Sequence, residues 1–315
     1  MKGCTLIVFL ILFVSQIFSQ EKLNSSNYLI YHVPSGTTIS FEKMIELAAN
    51  ADVLFFGEEH NDSVAHYLEI EVTKALHKKH GDQFAVGMEM FERDVQDVMN
   101  EYLQGSIREK HFNKDARIWS NFGDYKPVVE YAKENKVPVI CSNSAARYTN
   151  LAGRKGQKAL MELPAESKKN FAPLPYDTAS GPYYDKLMGL MNHTPVMTPS
   201  VPDTAKKVAP PISNPMGSFN LIMGQSLWDA TMAWSINEYL KKNKKDRVLH
   251  INGSFHSNEG FGIVTQLKKY RPKTKIQIIS CTSDENFPKI NWEEYKTFGD
   301  FIIITDPAVP KTFED

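Results

Sequence analysis

At 315 residues, with 42% hydrophobic and 23% charged, the chain has ordinary globular composition and enough apolar material for one large domain, or one with an insertion. Its 36 basic residues against 37 acidic ones leave a net charge of -1, so no global positive field points to nucleic acid. The first twenty residues stand apart. After Met1 and Lys2 comes the unbroken apolar run 6–14, then small and polar residues through Gln20. This is the pattern of a secretory signal peptide, with an apolar part too short to span a bilayer as a permanent helix. The expectation is a soluble exported protein, periplasmic in a Gram-negative source. Cys4 precedes the apolar core, so it is not a lipidated residue at a cleavage site.

The mature chain opens with the run 28–32, a Pro34-Ser35-Gly36 turn and a Ser40-capped helix over 40–50. A strand at 53–56 follows and ends in Gly57, Glu58, Glu59 and His60. Val64, Leu68, Val72, Ala75 and Leu76 then recur at helical spacing over 63–79, and His80-Gly81 closes that helix. A second unit has a strand at 84–88 with Glu89 at its end and a helix at 94–103. A third has a helix at 125–135 and a strand at 137–141 that delivers Asn143 and Arg147. This alternation predicts an α/β fold, a mostly parallel sheet flanked by helices with right-handed crossovers.

The alternation breaks over 163–215, where prolines stand at 164, 173, 175, 182, 195, 199, 202, 210, 211 and 215. Tyrosine and methionine are frequent there, unlike in a disordered linker. The segment is expected to be an ordered insertion over the C-terminal strand ends, interrupting a core domain formed by 21–162 and 216–315. Its one short helix covers 183–193. Regular alternation returns with a helix at 226–242, a strand at 248–252 closing in Gly253-Ser254-Phe255-His256, a helix at 261–270, and strands at 276–281 and 301–305. Cys141 and Cys281, the cysteines of the mature chain, read as buried thiols, and a disulfide would need their strands to be neighbours.

Strand C-termini in an open α/β sheet face a crevice, and four strands here deliver Glu58, Glu59 and His60, then Glu89, Asn143 and His256. Buried ionisable groups need partners, so these residues are expected to converge. Gln225 and Asp229, four apart at the start of a helix, are expected to join them or to cap that helix. His60, His256, Glu58 and Glu89 can hold a divalent metal, or they can form an acid/base pair around a water. No HExxH, paired CxxC, phosphate loop or GxSxG elbow occurs in the sequence.

Five blocks carry a resemblance: GEEHNDSVAH at 57–66, GMEMFERDVQ at 87–96, VPVICSNSAARY at 137–148, QSLWDATMA at 225–233 and LHINGSFHS at 249–257. Spread over nearly all of the mature chain, they resemble the ChaN-like haem-binding uptake family of the wider Tiki/TraB/erythromycin-esterase superfamily. The resemblance implies an exported protein that binds haem during iron uptake and presents it between paired subunits, with an outer-membrane haem receptor or transport component as a partner to be expected. It implies a tyrosine iron ligand with His or Lys near the propionates. Tyr183 or Tyr184 would then ligate iron, Lys186 and His193 would meet the propionates, and Met188 and Met191 the porphyrin face. Familiar members are often lipoproteins and commonly show two histidines where this chain has Ala65-His66; it departs from both patterns. Related branches imply an alternative, a metal-dependent peptidase or esterase. In it His60 or Glu89 activates water and His256, with Glu58 nearby, binds metal or polarises the substrate.

Overall fold

The structure is a computed structural model that describes residues 23–193 and 220–314. The expected signal peptide and the second half of the insertion lie outside the described residues. Strands β1 (Tyr28–His32) and β2 (Thr37–Ile39) form an antiparallel edge, and α1 (Phe41–Ala48) follows, its Ser40 cap accepting from the Lys43 amide. Next come β3 (Val53–Glu58), α2 (Ser63–His80), β4 (Phe84–Glu92), α3 (Gln96–Leu103), α4 (Glu109–Asp115), α5 (Phe122–Asn135), β5 (Val139–Asn143), α6 (Ala146–Met161) and α7 (Ala165–Lys168). The second half holds α8 (Pro182–His193), α9 (Leu221–Lys242), β6 (Arg247–Gly253), α10 (Gly262–Tyr270), β7 (Ile276–Ser283) and β8 (Phe301–Thr305).

The eight strands lie in the order β2-β1-β8-β7-β3-β6-β4-β5. From β8 to β5 every pairing is parallel, and β1 joins β8 antiparallel. The mostly parallel α/β sheet expected from the alternation is therefore the fold. Helices cover both faces. Leu54 and Phe56 of β3 pack on the side of α1 to α5, whereas Val53 and Phe55 pack against α9 and α10. Those continuous apolar strands are what a sheet buried on both faces requires.

Several boundaries differ from the sequence expectation. Helix α9 begins at Leu221 behind an Asn220 cap, five residues before the expected start. Ser226 is not a cap there: its hydroxyl donates to the Ile222 carbonyl at 2.6 Å, inside the helix. Asp229 consequently sits in the third turn, where it cannot complement the helix dipole. Strand β4 runs on to Glu92 through an irregularity after Met88, so Glu89 lies within the strand. Strand β5 is displaced two residues toward Asn143, and the helix α6, rich in Lys, Arg and Gly and of low overall hydrophobicity, is not among the expected elements. Cys141 and Cys281 are free and buried on β5 and β7, with three strands between them. Four strand spacings of about 4.8 Å put them far beyond disulfide reach.

One glycine is needed for close packing in the sheet. A Cβ on Gly87 would stand 2.6 Å from His250 Cδ2 on the adjacent β6. His250 has nowhere to turn, because its ring nitrogens bond Ser142 Oγ (2.9 Å) and Asn252 Oδ1 (3.0 Å), and its burial drives it down to about 4, keeping it neutral. Gly87→Ala is expected to destabilise the fold by about 1–3 kcal/mol, read as a lower urea midpoint at unchanged m-value. An unchanged midpoint would show that the His250 network yields.

Candidate functional site

Side chains alternate between the faces of a strand, and this divides the strand-end residues into two networks. Glu58 has the parity of Leu54 and Phe56 and emerges toward α2 and α5. Glu89 has the parity of Ala85 and emerges toward α9.

In the first network Glu58 Oε1 accepts from the Tyr125 hydroxyl at 2.8 Å and meets His60 Nδ1 at 2.8 Å. Helix α2 supplies the rest. Its cap Asp62 accepts from the amides of Val64 (2.8 Å) and Ala65 (3.0 Å) and from the Thr305 hydroxyl of β8, which fixes the helix start. One turn in, His66 Nδ1 lies 3.2 Å from Glu69 Oε2 and 3.6 Å from Glu58 Oε2, and Nε2 faces the His60 carbonyl at 3.1 Å and Asp124 Oδ2 at 3.8 Å. Burial disfavours a charged His66, yet Glu69, Glu58 and Asp124 outweigh it and raise His66 to about 10. Burial, with Glu58 beside it, pushes Glu69 up to about 8. Both directions have one origin: two buried carboxylates crowd a single imidazole, and the cluster retains protons.

In the second network His256 is held between two carboxylates. Its Nδ1 donates to Asp229 Oδ1 at 2.6 Å and its Nε2 to Glu89 Oε1 at 3.2 Å. Glu89 Oε2 also accepts from the Gly253 amide at 2.9 Å. Tyr183 donates to Asp229 Oδ2 at 2.7 Å, and Gln225 Nε2 donates to the Tyr183 oxygen at 3.2 Å. Burial opposes the charge on His256, but Glu89 and Asp229 overcome it and raise the ring to about 10; against the same burial, His256 draws Glu89 down to about 2. Burial leaves Asp229 above its ordinary value. A cavity of about 260 Å³ opens onto Tyr183 and Asp229 beside Phe261, Gly262 and Gln266.

His60 connects the two. Its Nδ1 is on Glu58, while a Cβ added to Gly253 would meet His60 Nε2 at 2.9 Å and Glu89 Oε2 at 3.8 Å. The absence of a side chain at residue 253 is what lets the imidazole lie across the end of β6. Despite burial, Glu58 raises the affinity of His60 for its proton.

Glu58, His60, Glu89, Gln225, Asp229 and His256 are thus brought to one rim. Glu59 turns away, accepting from Thr282 and from Ser283 (3.2 Å) at the end of β7. Asn143 accepts from the Ser144 amide at 2.8 Å, a local turn contact. Arg147 pairs with Asp94 at 2.5 Å and covers the Tyr148 ring, in a surface ion-pair group with Arg117 and Glu92. The four residues expected to share a metal do not gather, because Glu58 and Glu89 emerge on opposite faces of the sheet, His60 bonding the first and His256 pairing with the second. Among the described residues, the group whose ligand atoms do gather is Glu58, His66 and Glu69, all within 4.8 Å of one another.

Sequence reasoning missed Glu69, Asp124 and Tyr125. A signal for Glu69 existed: it lies on the stripe formed by Ala65, Leu68, Val72 and Leu76, a core position at which an ionisable residue demands a partner. On α8, Tyr183 points inward and Tyr184 outward; Lys186 pairs with Glu259 at 2.6 Å; Met188 packs against the Tyr183–Leu187–Ile222 cluster. Met191 and His193 are in its last turn, and their side chains lie outside the described residues.

This architecture is shared with a solved structure. That structure, described as cofacial heme binding to ChaN of Campylobacter jejuni, superposes with a TM-score of 0.65 at 17% identity, covering 89% of this chain and 98% of that one. A type III effector, HopBA1, is similar at a TM-score of 0.43 and 12% identity over 84% and 91% of the two chains, too low to carry an argument. No curated protein sequence matches the chain. The family model described as haem-binding uptake, Tiki superfamily, ChaN, matches residues 44–267. The chain belongs to that family.

The stability supplied by His256 is complete below its ordinary value of 6.5 and fades as pH rises toward about 10; that of Glu89 is complete above 4.5 and fades toward about 2. His66, also raised to about 10, adds to the alkaline loss. The melting temperature is therefore expected to fall as pH rises from 6.5 to 9, less steeply in His256→Gln. Parallel slopes would remove His256 from this account. His256→Ala, which strands Glu89 and Asp229 without a counter-charge, is expected to cost about 3–5 kcal/mol in denaturant unfolding.

Proposed function

We propose that the protein is exported and binds haem during iron uptake, holding it on the outer face of α8 with the Tyr184 phenolate as iron ligand. Orientation carries the choice of ligand. Tyr184 is 41% exposed, whereas Tyr183 is buried with its hydroxyl donating to Asp229. Burial and the Asp229 carboxylate hold the Tyr183 phenol far above the ordinary range, opposing the anionic form that ligation needs. A tyrosinate is a hard anionic donor and favours ferric iron, which suits a carrier. Met188, four residues from Tyr184, is half-buried against the Tyr183–Leu187–Ile222 cluster, and its exposed part borders the Tyr184 face. Lys186, two residues from Tyr184, faces the other side of α8 and pairs with Glu259, so it does not flank a porphyrin lying on Tyr184.

The cavity beside Asp229 supports a surface position for haem, since its 260 Å³ is below the roughly 300–1,000 Å³ of pockets that enclose organic ligands. A porphyrin on an exposed helix leaves one face open. The related Campylobacter protein is described as binding haem cofacially, and a second copy carrying its own haem would cover that face here, giving a haem-loaded homodimer. The hydrolase reading has less support: both nitrogens of His256 face carboxylates, Asp229 and Glu89, and the expected metal ligands Glu58 and Glu89 emerge on opposite faces of the sheet.

Hemin titration of the purified protein tests this. Wild type is expected to develop a shifted Soret band, Tyr184→Phe to weaken binding about tenfold or more with an altered band, and Tyr183→Phe to keep the wild-type spectrum. A Soret band unchanged in Tyr184→Phe would sink the assignment, and no band in wild type would sink the haem reading itself.

A further inference from the structure

We propose that Glu58, His66 and Glu69 form a binding site for one divalent first-row cation of the Mn²⁺ or Zn²⁺ class, separate from the α8 surface. Three observations point to a ligand. The ligand atoms lie within 4.8 Å of one another, and all three residues are buried. Glu58 Oε2 and Glu69 Oε1 are sequestered from solvent without a hydrogen-bond partner. A buried carboxylate oxygen left bare is costly, and a cation removes that cost at both residues together. The third observation concerns the proton on His66. Nε2 faces the His60 carbonyl at 3.1 Å and must donate to it, which leaves Nδ1 facing Glu69 Oε2 at 3.2 Å and Glu58 Oε2 at 3.6 Å. A neutral imidazole in that pose aims its lone pair at two carboxylates, so a proton or a metal cation must stand between them.

A proton at Nδ1 supplies one charge against two carboxylates, with Asp124 a further 3.8 Å neighbour. A divalent cation balances Glu58 and Glu69 completely and accepts the imidazole lone pair. Bonds of about 2.0–2.2 Å draw the ligand atoms closer than they now stand. The bare oxygens can move inward without breaking a hydrogen bond. The outer contacts of a metal site are present as well. The His60 carbonyl fixes the His66 tautomer, and Tyr125 and His60 bind Glu58 Oε1 on the side away from the site. Two carboxylate oxygens and one imidazole suit Mn²⁺, Fe²⁺ or Zn²⁺ better than a soft ion. The His60 side chain, 39% exposed and bonded to Glu58, leads from solvent to the cluster.

The experiment uses haem-free protein freed of metal by chelator, titrated calorimetrically with Zn²⁺ and Mn²⁺ and followed by Co²⁺ visible absorption. One equivalent per chain is expected, with a rise in melting temperature. Glu69→Gln, which keeps the shape of the side chain, and His66→Gln should each lose about 100-fold or more in affinity while hemin binding persists. Absence of binding in wild type, or equally tight binding in folded Glu69→Gln, would overturn the site. Should the variants fail to fold, ¹⁵N NMR of the wild-type histidines decides: His66 Nδ1 must give up its proton when zinc is added, and a His66 that keeps both protons at saturating zinc overturns the proposal.

Discussion

A carboxylate taken from water at the end of a buried strand is destabilising by several kcal/mol unless donors or a positive charge meet it, and this sheet buries two, Glu58 and Glu89, on opposite faces. Much of the local architecture answers that constraint. On one face α2 presents His66 and α5 presents Tyr125; on the other the turn after β6 presents His256, with α9 adding Asp229 behind it. Each histidine is held by more negative charge than it can balance, which explains why both retain their protons well above the ordinary imidazole range.

The two networks remain one rim because of a single side chain and a missing one. His60 reaches from Glu58 across the end of β6, and Gly253 leaves the space through which it passes. Its neighbour Glu59, one residue away on the chain, faces β7 and takes no part. Charge added to either network is therefore felt by an imidazole that bonds Glu58 and is influenced by the charges of Glu89 and His256.

Helix α8 places adjacent residues on opposite duties. Tyr183 closes over Asp229 and so belongs to the polar rim, whereas Tyr184 lies on the surface that the haem proposal uses. The helix is anchored through Tyr183, Leu187 and Ile222, and Lys186 ties it to Glu259 after β6. An iron ligand at Tyr184 would thus be mounted on a helix whose inner face is fixed by the same carboxylate that holds His256.

The sequence by itself determined the alternation of strands and helices, the parallel sheet and the rim membership of Glu58, His60, Glu89 and His256. Those follow from continuous apolar runs and apolar stripes of period 3.6 that end in ionisable residues, a signal local to each element. It also placed Gln225 and Asp229 with them, although for a helix start that the structure moves to Leu221. Only the tertiary structure decided which of these residues touch. The parity of Glu58 and Glu89 sends them to opposite faces, and an irregular β4 obscures that parity in sequence. Glu69 joins Glu58 from the helix that follows β3 and Tyr125 joins from α5, distant along the chain, while Arg147 leaves for Asp94. A charge balance depends on distances between elements, and element spacing is a property of the packed sheet, not of any segment within it.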